Sequence, residues 1–373
     1  MPMLENSFHI NNLNDFDHVD HQRIKKLIEN IQTSPNLFPY KVDIENNKIF
    51  FVEMDEKKYK KSFFVLSPGT EPGYLQGDLA FSANLSEIQN IFNNYSSKNK
   101  TAMIYNHGFC CSTLLCRLIE ESFEVLSLKE PPLLHDLKSL LQINANHPLK
   151  NTIFLIHNRS YAKNQKVLVK PSDYAFDLIS ESEKRDIPSI YLYSPLNEYI
   201  ASCIKGERIH WIKNRFMAAG PDKINNYLGS NSLNQDHSKP IIQATMYWCY
   251  FAKQFLQVSS NESNVVAINS STLLKNPSIT YQIGSHLNLQ RRFNIFERRN
   301  RKKLLNTYAK TDAYLFNAAD RKNLLKEVID ENQDEIKYAE SLAESILEME
   351  VKNFRFDNEI SEGGAPEEIR TPE

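Results

Sequence analysis

From residue 101 onward, short apolar segments alternate with longer stretches in which apolar residues recur at helical spacing. The short segments are rich in β-branched residues, which is typical of buried parallel strands. The segments predicted as strands are 102–105, 125–128, 152–156, 167–169, 189–193 and 265–268. The stretches predicted as helices are 113–123, 133–143, 174–181, 197–205 and 241–258. This alternation predicts an α/β fold with a mainly parallel sheet that is covered by helices on both faces.

Residues 1–98 follow another pattern and are interpreted as an accessory N-terminal α+β segment. Its predicted elements are a helix at 15–31, strands at 48–52 and 62–66, and a helix at 85–95. The main α/β domain is predicted over 99–352, with a helical C-terminal part that includes an acidic amphipathic helix at 330–351. The acidic tail at 353–373 is predicted to be disordered.

Composition narrows the class of protein and of partner. The 373 residues are 41% hydrophobic and carry a formal net charge of −2, so any anionic ligand has to be bound by local basic residues. The five cysteines lack metal-binding spacing, which predicts reduced thiols in a cytoplasmic protein. The sequence contains neither an apolar run of about 18 residues nor the pattern of a signal peptide. We therefore expect no nucleic acid, membrane or metal partner.

The loops that follow the predicted strands form the candidate site, because ligands of α/β folds bind at the carboxyl ends of strands. These loops are 106–113, 129–136, 157–160, 170–173 and 194–197. The first joins a strand to a helix through small residues, an arrangement that directs backbone N–H groups and a helix N-terminus at an anion, usually a phosphate. Gly108 permits this geometry, and Ser112 or Thr113 is expected to cap the helix and donate a hydroxyl. The loop is not a Walker A motif, because it lacks the lysine of GxxxxGK[ST].

Four segments along the chain carry a family resemblance. In order they are Phe109-Cys110-Cys111-Ser112-Thr113-Leu114-Leu115, Leu128-Lys129-Glu130-Pro131, the stretch from Tyr191 to Ser202, and the strand and turn from Val265 to Pro277. Together they resemble the sulfotransferases that use 3′-phosphoadenosine-5′-phosphosulfate (PAPS), in particular a bacterial sulfotransferase-like group. The resemblance implies a P-loop-like three-layer sandwich. It also implies transfer of a sulfuryl group from PAPS to a hydroxyl or amine of a small molecule or glycan, without a metal.

The resemblance assigns roles to particular residues. The residues implied in binding PAPS are Gly108, Phe109, Cys110, Cys111, Ser112, Thr113, Leu114, Ser194, Ser202 and Lys310. Glu130 matches the catalytic base, and Lys129 is expected beside the transferring group. His107 and His157 are alternative bases, and Lys170 is a further candidate phosphate ligand.

The sequence departs from the family pattern in its basic residues. In the phosphosulfate loop, where the family often carries a lysine or arginine, this chain offers only His107. Before Pro195, Tyr193 or Ser194 replaces the usual arginine. Candidates for compensation lie in a basic segment and are Arg298, Arg299, Arg301, Lys310 and Arg321. Two alternatives therefore stay open, a sulfotransferase-fold binding or scaffold protein that has lost catalysis and an atypical P-loop nucleotide-binding enzyme.

Overall fold

A computed structural model of the chain describes residues 31–32, 35–59, 80–93, 101–163, 165–205, 208–233, 235–236, 238–259, 264–307, 317–352 and 354–361. Four predictions fall wholly or largely outside these residues. They are the helix at 15–31, the strand at 62–66, the role of Lys310 and the tail from residue 362 onward.

The main sheet has five strands in the order β5-β6-β4-β7-β8. These strands are β4 (Thr101–Asn106), β5 (Val125–Lys129), β6 (Lys166–Lys170), β7 (Ser189–Tyr193) and β8 (Val265–Asn269). The registered pairs β5–β6, β4–β7 and β7–β8 are all parallel. The α/β fold with a mainly parallel sheet is thus confirmed, and five of the six predicted strands are present.

The predicted strand at 152–156 is wrong, because these residues belong to the helix Leu149–His157. A short apolar run with β-branched residues does not distinguish a strand from a buried helix. Here Pro148 occupies the N-cap position, and the helix buries Leu149, Ile153 and Ile156. It packs against the helices Leu85–Asn93 and Leu133–Ile143. The loop at 157–160 therefore follows a helix and not a strand.

A second, antiparallel sheet has the order β1-β2-β3. Its strands are β1 (Leu37–Asp43), β2 (Lys48–Glu53) and β3 (Ala80–Asn84), of which only β2 was predicted. Pro39 weakened the strand signal of β1, and the register shifts between Pro39 and Lys41 as in a β-bulge. In β3 the Ala, Ser and Asn residues give little strand preference.

The described chain divides into two compact units, which we treat separately. The first consists of the described residues of Met1–Ala102, Phe123–Pro171 and Leu289–Arg292. Its helices are Glu56–Tyr59, Leu85–Asn93, Leu133–Ile143 and Leu149–His157.

The second unit consists of the described residues of Met103–Ser122, Ser172–Asn288 and Phe293–Glu373. Its helices are Ser112–Ser122, Ile179–Lys184, Leu196–Ile204, Arg208–Ala219, Pro221–Leu228, Ser230–Leu233, Pro240–Val258, Ser270–Lys275, Ile279–His286, Glu297–Leu305, Ala318–Glu331 and Gln333–Leu347, with a 3-10 helix at Asp173–Leu178. The predicted helix at 330–351 is in fact the end of one helix and the whole of the next, separated at Asn332, and its last four residues lie beyond Leu347, where the second helix ends.

The aromatic helix Pro240–Val258 lies in the core of the second unit, as its pattern predicts. The residues 354–361 lie beside β8, where the Ile360 N–H donates to the Ala267 carbonyl at 3.0 Å. Phe356 packs against Tyr191, Tyr193 and Phe255 at ring-centroid distances of 5.6, 5.0 and 4.4 Å. This part of the tail is ordered, contrary to the prediction, because its aromatic residue is buried in the core.

Candidate functional site

The loop between β4 and the helix Ser112–Ser122 has an unusual backbone. Gly108, Phe109 and Cys111 have positive φ angles of 84°, 53° and 64°. Residues other than glycine rarely adopt this left-handed region, and such conformations cluster at functional sites. Cys111, not Ser112, occupies the N-cap position, because its carbonyl accepts the first helical hydrogen bond, from Leu115 N–H at 3.0 Å. The loop therefore runs directly into the positive end of a helix.

His107 fastens the loop from inside the second unit. Its side chain is fully buried, and its Nε2 accepts a hydrogen bond from the Ser194 N–H at 2.8 Å. Burial lowers the pKa of His107 to about 3, so the imidazole is neutral and Nδ1 carries its proton. The ring packs edge-on against Tyr199 at 4.7 Å. These contacts give His107 a positioning role, since a fully buried ring does not reach a substrate in this conformation.

Ser194 is likewise part of the support beneath the loop. It is fully buried, its Oγ shares a hydrogen bond with Ser270 Oγ at 2.8 Å, and its carbonyl accepts from Trp248 Nε1 at 3.0 Å. Ser202 lies near the end of the helix Leu196–Ile204 and is only 3% exposed. The structure thus places both predicted phosphate ligands in the interior of the second unit.

Arg321 contacts the loop directly. Its Nη2 donates to the Phe109 carbonyl at 2.9 Å, and its Nη1 pairs with Glu198 Oε2 at 3.2 Å. Glu198 Oε1 in turn accepts from Ser271 Oγ at 2.5 Å. Burial acts to lower the pKa of Arg321, but the neighbouring Cys111 and Glu198 raise it above its usual value. The helix Ala318–Glu331 therefore brings a fixed guanidinium to a loop that carries no lysine or arginine of its own.

Two further cations lie close to the loop. The Arg208 guanidinium stands 5.4 Å from the centroid of the Phe109 ring. Burial, and then the charges of Arg208 and Arg321, lower the pKa of Lys205, so these three groups are near neighbours. The Trp211 ring approaches the Cβ position of Gly108 to 3.5 Å and packs on Phe109 at 5.2 Å. We call Lys205, Arg208 and Arg321 the cationic cluster.

The electrostatics of this region favour an anion. A helix N-terminus already carries about half a positive charge, and cations near it repel that end of the helix. Lys205, Arg208 and Arg321 bring three formal positive charges to this region, where Arg321 is paired with the Glu198 carboxylate. An anion bound at the loop relieves this repulsion. Phosphate and sulfate groups fit best, because they accept hydrogen bonds from backbone N–H groups, hydroxyls and guanidinium together.

The remaining loop residues line the start of the helix. Cys110, Ser112, Thr113 and Leu114 are buried, whereas Gly108, Phe109 and Cys111 are partly exposed. Cys110 is fully buried, so its small side chain packs beneath the loop. Ser112 and Thr113 lie in the first turn of the helix and are both buried.

The predicted Lys129–Glu130 pair lies in the first unit and includes a third member. Lys170, at the end of β6, is the register partner of Lys129 and forms an ion pair with the Glu130 carboxylate. Lys129 is fully buried, and its Nζ donates to the Tyr59 carbonyl at 3.3 Å. Glu130 has a positive φ of 59°, and its N–H donates to the Lys170 carbonyl at 2.6 Å. Strand pairing thus adds Lys170, which the sequence analysis considered separately, to the Lys129–Glu130 pair.

Other candidates serve the fold. His157 is buried, its Nδ1 lies 2.7 Å from the Ile153 carbonyl, and burial lowers its pKa to about 4. Arg301 is buried and donates to the Ser122 and Thr280 hydroxyls and to the Pro277 carbonyl. Arg298 and Arg299 are exposed on the same helix as Arg301. Of the basic-segment candidates in the described part of the chain, Arg321 contacts the loop.

Sequence reasoning missed Lys205 and Arg208 altogether. They come just after the helix that follows β7. A search for cations at the far end of the helix that follows each strand would have included them. That signal is weak, because exposed basic residues at helix ends are common. Arg321 is still harder to find, since 209 positions separate it from Ser112.

Within the described ranges, no helix is long and apolar enough to cross a bilayer. In the same ranges, no group of three or more His, Cys, Asp and Glu side chains is arranged to hold a metal ion. No protein-family model matches the sequence, and no curated protein matches it at a significant level of similarity.

Proposed function

We propose that the loop 107–113 binds the phosphosulfate of PAPS and that the protein transfers this sulfuryl group to a hydroxyl or amine of a small molecule or glycan. One observation carries the proposal, the cationic cluster at a positive-φ loop that opens a helix. The geometry supports a phosphate or sulfate anion. The resemblance of the four sequence segments narrows that anion to PAPS within a P-loop-like three-layer sandwich.

The cationic cluster offers the positive charge that the loop lacks in comparison with the family pattern. A loop without lysine or arginine lacks the charge that stabilises a transferring phosphosulfate. Arg321 supplies a guanidinium that is already oriented by Glu198 and the Phe109 carbonyl. Arg208 and Lys205 add charge from a neighbouring segment. The positive charge thus comes from residues distant in sequence and not from the loop.

The proposed reaction is an in-line displacement at sulfur. The acceptor oxygen or nitrogen forms a bond to sulfur while the bond between sulfur and the 5′-phosphate oxygen breaks. The acceptor proton passes to a base, and adenosine 3′,5′-bisphosphate leaves with the negative charge. Ser112, Thr113 and the first helical N–H groups are the proposed ligands of the phosphosulfate, with the cationic cluster neutralising it. The family resemblance assigns the role of base to Glu130, whose carboxylate is paired with Lys170 within the first unit.

A second candidate function is a nucleotide-binding module without turnover. The observation in its favour is that Lys129 and Lys170 are 0% and 1% exposed, with Lys170 paired to the proposed base. A carboxylate that is paired with a buried lysine in this way also occurs in purely structural sites. Both candidates share nucleotide binding and differ only in turnover.

Calorimetry with adenosine 3′,5′-bisphosphate, followed by radiolabelled PAPS with a panel of acceptors, separates the candidates. We expect nucleotide binding and label transfer that Glu130→Gln lowers by about a hundredfold in kcat, in the range typical of general-base catalysis. The matched control is Glu183→Gln, an exposed glutamate. Binding without transfer to any acceptor supports the second candidate. Absence of binding rejects both, and Mg²⁺-dependent ATP binding in its place supports the atypical P-loop enzyme.

A further inference from the structure

The second unit exposes apolar and cationic side chains in one continuous stretch, residues 293–303. Phe293, Ile295 and Phe296 are 94%, 74% and 56% exposed. The helix Glu297–Leu305 follows directly. Its exposed cations are Arg298, Arg299, Lys302 and Lys303. We call these seven side chains the 293–303 patch. Proteins seldom expose large apolar residues side by side unless that surface binds a ligand, another protein or a membrane.

Hydrogen bonds on the inner side of the stretch fix its backbone. Asn294 Nδ2 and Asn300 Nδ2 both donate to Glu121 Oε2, at 3.2 and 2.9 Å. The Phe296 N–H donates to Asn294 Oδ1 at 3.0 Å, and the buried Arg301 anchors the following helix. The alternation of inward and outward residues therefore holds the three apolar side chains outward. The patch is a preformed surface.

The outward face of the helix is strongly positive. Arg298 and Lys302 are four residues apart, as are Arg299 and Lys303, so the four cations lie on one side of the helix. Glu297, the acidic residue of the stretch, accepts a hydrogen bond from the Tyr281 hydroxyl at 3.0 Å. The patch is therefore a local source of positive charge on a chain whose formal net charge is −2.

We propose that the 293–303 patch binds the surface of an anionic lipid bilayer, which goes beyond the proposed sulfotransferase function. Apolar side chains beside a basic helix face match the boundary between acyl chains and acidic headgroups. The positive charge of the patch is complementary to an anionic bilayer. The boundary between acyl chains and headgroups also accommodates both the aliphatic Ile295 and the aromatic Phe293 and Phe296. Single-stranded nucleic acid stacks on aromatic rings and leaves Ile295 without a role. The proposed contact is peripheral, with the patch lying on the surface of the bilayer.

The test measures sedimentation of the full chain with vesicles of phosphatidylcholine alone and with vesicles that also contain about 30% phosphatidylserine, a typical anionic composition. We expect binding to the anionic vesicles that is at least about tenfold tighter than to the neutral ones and weakens as salt is raised. Single-stranded RNA in a filter-binding assay serves as the competing ligand.

Two variants probe the two halves of the patch. Replacing the four cations together (Arg298→Gln, Arg299→Gln, Lys302→Gln and Lys303→Gln) is expected to remove the preference for anionic vesicles, since each cation contributes about fivefold. Replacing the apolar residues together (Phe293→Ser, Ile295→Ser and Phe296→Ser) is expected to weaken binding to both vesicles at least about tenfold. Both sets are exposed, so the fold should tolerate them.

Each variant has a matched control elsewhere on the chain. For charge it is Lys184→Gln, Lys239→Gln, Lys326→Gln and Lys337→Gln, which neutralises four exposed lysines. For apolar surface it is Ile44→Ser, Ile143→Ser and Met217→Ser, whose residues are 48%, 85% and 55% exposed. The proposal is supported if vesicle binding is unchanged in both control variants and lowered in the patch variants. The proposal is overturned by absence of binding to anionic vesicles, by equal losses in the controls, or by RNA binding that depends on the patch while vesicle binding does not.

Discussion

The two ends of the helix Ser112–Ser122 each have an arginine beside them, and the two arginines are held in different ways. At the C-terminal end, Arg301 Nη1 donates to Leu118 O at 3.3 Å and to Ser122 Oγ at 2.7 Å, and Nη2 donates to Pro277 O and Thr280 Oγ1 at 2.7 and 2.8 Å. A cation is stabilised there, because the last carbonyls of a helix carry partial negative charge. Arg301 is therefore a structural clamp.

At the N-terminal end, Arg321 stands where the helix repels a cation. It makes one hydrogen bond to the loop and one ion pair, and its side chain remains 12% exposed. Lys205 and Arg208 lie nearby and increase the positive potential. Burial and hydrogen bonding alone therefore do not distinguish a structural arginine from a candidate ligand-binding one. The sign of the surrounding field does.

The largest expected effect concerns the clamp. Arg301→Gln should lower the free energy of unfolding by about 3 kcal/mol or more, because it leaves several buried acceptors without their charged donor. Urea denaturation measures this loss, and nucleotide affinity of the folded protein should be unchanged. The control Arg298→Gln, an exposed residue of the same helix, should stay within about 0.5 kcal/mol of the wild type. A loss below about 1 kcal/mol for Arg301→Gln would contradict the clamp.

The next effect concerns the N-terminal end. Arg321→Gln should weaken binding of adenosine 3′,5′-bisphosphate by about tenfold to a hundredfold, the value of a hydrogen bond to a charged group. Its unfolding free energy should fall by less than about 1 kcal/mol, because loss of the ion pair is offset by relief of repulsion at the helix N-terminus. Calorimetry and urea denaturation give the two numbers.

The control for this prediction is Lys322→Gln, which neutralises the exposed neighbour of Arg321. Two results would contradict the proposed difference between Arg301 and Arg321. One is unchanged nucleotide affinity in Arg321→Gln, and the other is a stability loss as large as that of Arg301→Gln. Either result would make both arginines structural clamps.

The third effect is a pH dependence that originates beneath the loop. The pKa of His107 is about 3 in the folded protein, below the usual histidine value of about 6.5. Between these values the unfolded chain binds a proton that the folded chain does not, so stability falls as the pH decreases. The contribution is about 1.4 kcal/mol per pH unit. His157, with a folded pKa of about 4, acts in the same direction.

His107→Gln isolates this contribution, because a glutamine oxygen can accept the Ser194 N–H in place of Nε2. The slope of unfolding free energy between pH 6 and about 4 should decrease by about one proton. His210→Gln, which removes an exposed imidazole of the same unit, is the control. Asp136 has a folded pKa raised to about 6 by burial and opposes the trend, but it is common to all the variants. An unchanged slope in His107→Gln would show that His107 is charged in the folded protein.

Much of the architecture could be predicted from local pattern. The strands β4 to β8 were recognised because each is a short apolar run whose residues are nearly all buried. The same rule was wrong at 152–156, because burial on several sides makes a helix and a strand look alike in composition. The strand β1 was missed because the proline-containing bulge interrupts its pattern.

In the candidate site, too, some features could be predicted from local sequence and others could not. The loop, its glycine and the helix that follows it are contiguous in sequence, so local chemistry was enough to find them. Lys170 was recognised as a candidate, but its pairing with Glu130 depends on the register of β5 with β6. His107 and Ser194 support the loop through their mutual hydrogen bond and through the hydrogen bond from Trp248 to Ser194. Since these residues are distant in sequence, no local pattern predicts the contacts.

Local sequence was enough to predict the α/β class and the position of the candidate anion-binding loop, because both depend on neighbouring residues and on the period of the hydrophobic pattern. Which charges lie near that loop depends on how distant segments pack in three dimensions. Arg208 contacts the Phe109 ring and Arg321 contacts the Phe109 carbonyl, although both arginines are distant from Phe109 in sequence. Charge acts through space across several ångströms, so its partners are set by the packing of distant segments and not by their order in the chain.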